Sequence, residues 1–368
     1  MPKSITQLCK AILSRTKVFA NQDMEECIET KNVDYDSKIK REVAFFKEYN
    51  DVHELPESFH YITNRTLTNN INKCLGFSTY DEMILDYVNR LKESKNEADI
   101  SILSLGAGNC DYEINFACKN QLKCQFICYE INPQMLERGE KLANEKLGGN
   151  HNFVFTECDI NKIKLDKTFD IILACHSLHH FVELEHIFDE VHNGMSESSF
   201  FIINDIIGRN GHMFWDSTLQ MCNKIWSIFP NELKYNHLHK KYYPKRIQWD
   251  CSTDGFEGVR AQDILLLLDE KFKFKDFIPF FALVNKFIDR DFGHNFDLNN
   301  EYHKSLLDMI DELDNSLLTK KLMKPTQMYA TLVKKNVDVT DYKYMYFEKP
   351  SEVYLLDESL VWNYFDSK

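Results

Sequence analysis

Between Ile100 and Asp205 the chain alternates short apolar runs with longer amphipathic stretches, the pattern of buried strands separated by surface helices. The runs are Ile100–Leu105, Gln125–Glu130, Phe153–Ile160, Phe169–His176 and Ser199–Asp205. Upstream, Ser37–Tyr49 and Thr79–Lys92 carry apolar residues at helical spacing, the latter through Tyr80, Ile84, Tyr87, Val88 and Leu91. The polar-aromatic stretch His60–Arg65 lies between them and is a candidate cover for a ligand site. The first twenty residues combine Lys3, Lys10, Arg15 and Lys17 with Ile5, Leu8, Ile12 and Leu13, which reads as a basic amphipathic helix rather than a transit segment. Downstream, helices are expected over Trp215–Phe229 and Ala261–Glu270, and strands within Phe272–Val284 and Thr326–Lys334. An α/β class follows from this alternation.

Composition narrows the picture. A chain of 368 residues that is 43% hydrophobic and 13% aromatic can bury a sizeable core. A net charge of −13 argues against a nucleic-acid surface, which needs a basic stripe to neutralise phosphates. No apolar run reaches the length that spans a bilayer, so no membrane partner is expected. Eleven cysteines without framework spacing suggest a reducing, cytoplasmic setting, with Cys124 and Cys128 as buried thiols.

The first candidate chemistry lies at Gly106-Ala107-Gly108-Asn109-Cys110-Asp111, where an apolar run ends in a glycine turn. Such a turn lets backbone N–H groups approach a ligand at the carboxyl end of a parallel strand. A dinucleotide fingerprint would place a third glycine where Asp111 stands, and an acid there repels phosphate. A ligand bearing an amine and a sulfonium suits it better, which points to S-adenosylmethionine. Glu130 follows Gly108 at about the 20-residue spacing of a ribose-binding carboxylate. Asp159 is placed to accept from an adenine amine, with Ile131 and Ile160 on either side of the ring.

With these residues in place, the chain resembles the class I S-adenosylmethionine-dependent methyltransferases. The matching segments are LSLGAGNCD (103–111), YEIN (129–132), ECDI (157–160), FDIILACHSLHHF (169–181) and FFIINDIIG (200–208). The resemblance implies a seven-stranded Rossmann-like sheet with helices on both faces, its last two strands an antiparallel pair at one edge. It implies that Gly106, Ala107, Gly108 and Asn109 meet the methionine end of the cofactor and Glu130 the ribose. Ile131, Asp159 and Ile160 would meet the adenine, with Ala174 and Cys175 completing the surroundings. Cys110 departs from the family pattern, which has glycine there. The segments at 251–265, 287–297 and 324–328 resemble a bacterial subgroup of unassigned substrate. The expected organisation is a helical extension (1–95), a methyltransferase domain (96–335) with helical insertions near 211–270 and 286–324, and an acidic aromatic tail (336–368) docked on the surface.

Methyl transfer to a hydroxyl benefits from a general base. His176 and His180 after the fourth run, and Asp205 at the end of the fifth, are the catalytic candidates, with His179 beside them. The structural alternatives are scaffolding histidines and a helix cap. No metal site is expected, since no partner ligands stand at diagnostic spacing to these histidines. Arg209–His212 and the loop holding Glu257 and Arg260 are candidate acceptor contacts, as is the basic aromatic run Lys240–Arg246. An exocyclic-amine methyltransferase would carry an Asn/Asp-Pro-Pro-aromatic element where Ala174-Cys175-His176-Ser177 stands. The expected reaction is O-methylation of a small-molecule or carbohydrate-like acceptor. The alternative is a non-catalytic, cofactor-binding regulatory or scaffolding protein. A nicotinamide oxidoreductase is disfavoured by Asp111.

Overall fold

The computed structural model describes residues 35–48, 55–253 and 255–366; the basic amphipathic segment expected over the first twenty residues lies outside them. The apolar runs form strands β1 (Ser101–Leu105), β2 (Gln125–Glu130), β3 (Phe153–Glu157), β4 (Phe169–Cys175) and β5 (Met195–Ile206). These pair in parallel in the order β3-β2-β1-β4-β5. A short hairpin, β6 (Tyr235–Asn236) and β7 (Lys241–Tyr242), lies apart from this sheet. Strands β8 (Phe272–Phe280) and β9 (Gln327–Lys334) extend the sheet, β9 antiparallel to both β5 and β8. The expected antiparallel pair is present, but it is not the edge. The tail supplies an eighth strand, β10 (Lys343–Tyr344), parallel to β8. Its Met345 N–H donates to Phe277 O, and Phe347 is buried. The tail therefore completes the sheet, where surface docking was expected; two paired residues are too short a signal to read from alternation.

Helices α1 (Tyr35–Glu48), α2 (Glu57–Leu75) and α3 (Tyr80–Lys92) precede the sheet. Thr79 caps α3 by accepting from Glu82 N–H, a donor that the first turn of a helix leaves without an internal partner. Helices α4 (Asp111–Asn120), α5 (Pro133–Leu147) and α6 (Leu184–Asn193) connect the parallel strands. Beyond β5 come α7 (Asp216–Ile228), α8 (Ala261–Lys271) and α9 (Glu301–Thr319). Short helices α10 (Ser351–Tyr354) and α11 (Leu360–Asp366) follow β10.

One buried cluster unites α2, α7, α9 and the end of β8 around Trp226, which is 0% exposed and packs with Phe229, Phe287 and Phe292. The buried guanidinium of Arg246 sits over the Trp226 and Phe292 rings and pairs with Asp289 at 3.1 Å. Tyr61 and Arg65, expected to cover the ligand site, face α9 instead. Tyr61 Oη donates to Asp308 at 2.8 Å, and Arg65 pairs with Asp308 and Asp311. The polar-aromatic stretch forms part of α2, and its partners lie more than two hundred residues away in sequence.

Asp314, on the buried face of α9, accepts from the backbone N–H groups of Ala282, Leu283 and Val284 where the chain turns after β8. Removing an acceptor of this kind strands buried donors, each costing about 1–3 kcal/mol. Asp314→Ala is expected to destabilise the protein by roughly 3 kcal/mol or more. Urea unfolding of the variant beside the parent measures this; an unchanged midpoint would show that the turn holds without the carboxylate.

Candidate active site

The strand order reverses between β1 and β4: the connection from β1 leads outward to β2 and β3, that from β4 to β5. A crevice at the carboxyl ends of strands is expected at such a reversal. Ligand-facing loops from β1, β2 and β4 meet here. The turn after β1 is pinned by Gly106 N–H and Ala107 N–H, which both donate to Tyr129 O at 2.8 and 3.0 Å. Gly106 has φ +68°, and an added Cβ would stand 2.8 Å from Ser177 Cβ. Glycine is therefore required for β1 and β4 to close on one another. Cys110 takes φ 56°, the left-handed conformation that the usual glycine would adopt freely. The cysteine side chain is fully buried.

Glu130 closes the turn from the second strand. One carboxylate oxygen accepts from Gly108 N–H and the other from Asn132 N–H, both at 3.0 Å. A carboxylate at this position suits sugar hydroxyls, which donate to it. Asn109 Oδ1 and Ser177 Oγ are buried polar atoms with no hydrogen-bond partner among the described residues. Unsatisfied buried groups of this kind are uncommon in a folded chain, and a polar ligand bound here would satisfy these two. A ligand carrying an amine, hydroxyls and a cationic centre fits this acidic, acceptor-rich crevice. Ala174 is fully buried at the end of β4, and Cys175 beside it lies 3.8 Å from Tyr80 Oη.

Ile160 is buried and Ile131 half-buried beside it, while Asp159 is engaged by α1. Tyr35 Oη donates to Asp159 Oδ1 at 2.9 Å and accepts from Asn161 Nδ2 at the same distance. The Tyr35 ring also packs on Phe256, 5.4 Å between centroids. Lys38 donates to Ser252 O and Gly255 O. Helix α1 therefore covers the expected adenine end, the part that His60–Arg65 was expected to play.

A second group of side chains gathers past β4 and β5. Asp205 is 0% exposed. Its Oδ2 accepts from Ser177 N–H and Leu178 N–H at 2.8 Å, and its Oδ1 accepts from His179 Nδ1 at 2.6 Å and Ile206 N–H at 2.7 Å. It cannot reach an acceptor and does not serve as the base expected of it; it positions His179. His179 Nε2 lies 3.6 Å from Glu257, and His212 Nε2 contacts the same carboxylate oxygen at 2.5 Å. His180 Nε2 stands 3.6 Å from the other Glu257 oxygen. His176 is exposed in a left-handed turn, tied by its N–H to Asn204 O, and stands outside the converging group.

Charge follows geometry. Burial alone would suppress the His179 imidazolium, but Asp205 and Glu257 outweigh it and its pKa rises. His212 is shifted down by burial, against the pull of Glu257. Burial would raise the Glu257 carboxyl, yet the neighbouring imidazoles hold it well below the usual range. Arg260 is taken up by Glu185 and Asp263, and Arg246 by Asp289, so neither faces an acceptor as the sequence had suggested. The partners that sequence analysis did not join are His212 and Glu257, which sit 45 residues apart. The available signal was that both fell in loops already marked as acceptor contacts.

If Glu130 holds the ribose, Glu130→Ala is expected to weaken S-adenosylhomocysteine binding by roughly 1–3 kcal/mol, the worth of charge-assisted hydrogen bonds. Titration calorimetry measures it, and an unchanged affinity removes that role.

Residues 96–246 match the family model described as "Methyltransferase domain". No curated protein matches. Among solved structures, an O-methyltransferase from the trans-AT PKS multienzyme of Brevibacillus brevis, in complex with S-adenosyl-L-homocysteine, is 11% identical. The match covers 86% of this chain and 92% of that one, with a TM-score of 0.40. Geranyl diphosphate C-methyltransferase from Streptomyces coelicolor is 10% identical over 70% of this chain and 75% of its own, at a TM-score of 0.39. The family match falls on the segment that carries the glycine turn, Glu130 and the histidine cluster. Over residues 96–246 the chain thus carries a methyltransferase domain.

Proposed function

We propose that the chain O-methylates a small-molecule or carbohydrate-like acceptor whose hydroxyl is bound beside His179, His212 and Glu257. The observation that carries this reading is the convergence of those three groups, held by the buried Asp205–His179 contact at 2.6 Å. S-adenosylmethionine, when bound, supplies an electrophilic methyl group on a sulfonium. In this reading Gly106, Ala107, Gly108 and Asn109 hold its methionine end and Glu130 its ribose. Ile131, Asp159 and Ile160 take the adenine, and Ala174 and Cys175 line the floor. The chain's part in the reaction is to position an acceptor oxygen and accept its proton. Positioning supplies much of the rate effect in a displacement of this kind. The half-exposed Glu257 carboxylate is the face of the cluster open to an acceptor, its side chain being 45% exposed. The half-buried His180 flanks it.

A division into helical extension (1–95), methyltransferase domain (96–335) and tail (336–368) accompanies this proposal. So does a cytoplasmic setting, supported by nine described cysteines that are all free thiols. No described helix is long and apolar enough to cross a membrane.

One observation favours a second reading, a cofactor-binding protein without transfer activity. Tyr35 occupies Asp159, the carboxylate expected to recognise adenine. Acceptor-dependent release of S-adenosylhomocysteine across a panel of hydroxylated compounds, with mass spectrometry of the product, separates the two. A product gaining one methyl on oxygen is expected; cofactor binding with no turnover on any acceptor would favour the second reading. Asp205→Asn is expected to lower kcat by about 10²–10⁴-fold, because His179 loses its orienting acceptor. S-adenosylhomocysteine affinity, read by calorimetry, should change little; an equal fall in both would mark Asp205 as scaffold alone.

A further inference from the structure

We infer that His179, His212 and Glu257 form a binding site for a divalent transition-metal ion, one that would hold the acceptor oxygen in the reading proposed above. The three residues come from separate loops, after β4, after β5 and before α8. Each offers one ligand atom, and the three atoms lie within 4.8 Å of one another. Two imidazole nitrogens and one carboxylate oxygen are a donor set for zinc, iron(II) or manganese rather than magnesium or calcium, which take oxygen ligands. Three protein ligands also leave coordination positions open.

The surroundings are those of a metal-binding histidine. His179 meets Asp205 through Nδ1, which leaves Nε2 on the Glu257 side. An outer carboxylate on a ligand histidine fixes its ring and raises its donor strength. The loops are assembled in advance. Val259 N–H donates to His179 O at 3.1 Å, Gly211 N–H to Gly258 O at 2.8 Å, and Cys251 N–H to Gly211 O at 3.0 Å. Gly258 has φ +70°, and a Cβ there would stand 3.0 Å from the His212 ring. Only glycine lets the Glu257 loop close on that imidazole. Charge points the same way. The ion-pair partners of Glu257 are imidazoles, and Asp205 pairs with an imidazole too. A divalent ion would add positive charge beside these two carboxylates, next to Lys286, whose Nζ donates to His212 O at 2.9 Å.

The ion would act on the acceptor as a Lewis acid. A hydroxyl bound at an open position would lose its proton more readily, as water does on a catalytic metal, the proton passing to the chain's own acceptor and from there to solvent. The alkoxide oxygen then forms the O–CH₃ bond while the S–CH₃ bond breaks. The electron pair stays on sulfur, and S-adenosylhomocysteine leaves neutral at that atom.

The test uses the full chain, stripped with chelator and dialysed, then titrated calorimetrically with Zn²⁺ and with Mn²⁺, Mg²⁺ serving as comparator. One equivalent of Zn²⁺ or Mn²⁺ is expected to bind at micromolar or lower concentration. His212→Ala and Glu257→Gln should each weaken it by about 100-fold or more, whereas His151→Ala, at the far sheet edge, should not. Both variants lie in loops, and circular dichroism checks that they fold. Absence of stoichiometric binding, or binding indifferent to both substitutions, overturns the site. Turnover on a hydroxylated acceptor that persists undiminished in chelator also overturns it, and leaves the O-methylation reading intact with the cluster as a proton relay. Binding that depends on both residues, in a protein that methylates no hydroxyl, upholds the site while the proposed reaction falls.

Discussion

The buried carboxylate of Asp205 is the constraint on which the active-site half of the molecule depends. It ends β5, lies out of reach of water, and is satisfied by two backbone N–H groups of the turn after β4, the one following itself, and the His179 ring. A buried charge of this kind is tolerable only when fully hydrogen-bonded. The turn after β4 is therefore held in one shape. That shape brings Ser177 close to Gly106, so the turn after β4 borders the turn after β1.

Sheet order gives that turn its place. Because β1 and β4 are neighbours while their connections run in opposite directions, their carboxyl ends are the place where a ligand crevice is expected. The long β8–β9 pair lies on the far side of β5 and forms the other half of the sheet, together with the tail strand β10. Its rigidity comes from a different source, the aromatic cluster around Trp226 and the Asp314 carboxylate that holds the turn after β8. Thr326, just ahead of β9, donates through its N–H and hydroxyl to Phe281 O in that turn.

Helix α1 joins the two ends of the site. Tyr35 holds Asp159, and its ring meets Phe256, next to Glu257. Lys38 ties the same helix to the carbonyls of Ser252 and Gly255.

Much of this was legible from the residues themselves. The parallel core was readable because a buried strand needs a nearly continuous apolar run and a surface helix needs one apolar stripe, both local patterns. The glycine turn and Glu130 were readable because close backbone approach and a carboxylate at the end of the second strand occupy set positions along the chain. The strand count, the role of α2 and the acceptor cluster were not. β10 is two residues long, and Tyr61 and Arg65 are polar on any reading until α9 arrives with Asp308 and Asp311. His179, His212 and Glu257 carry no mutual spacing that marks them, and Asp205 looks from sequence like a free acid at a strand end. Only the folded chain decides which imidazole a buried carboxylate orients, because hydrogen bonding acts over 3 Å in space and is indifferent to separation along the sequence.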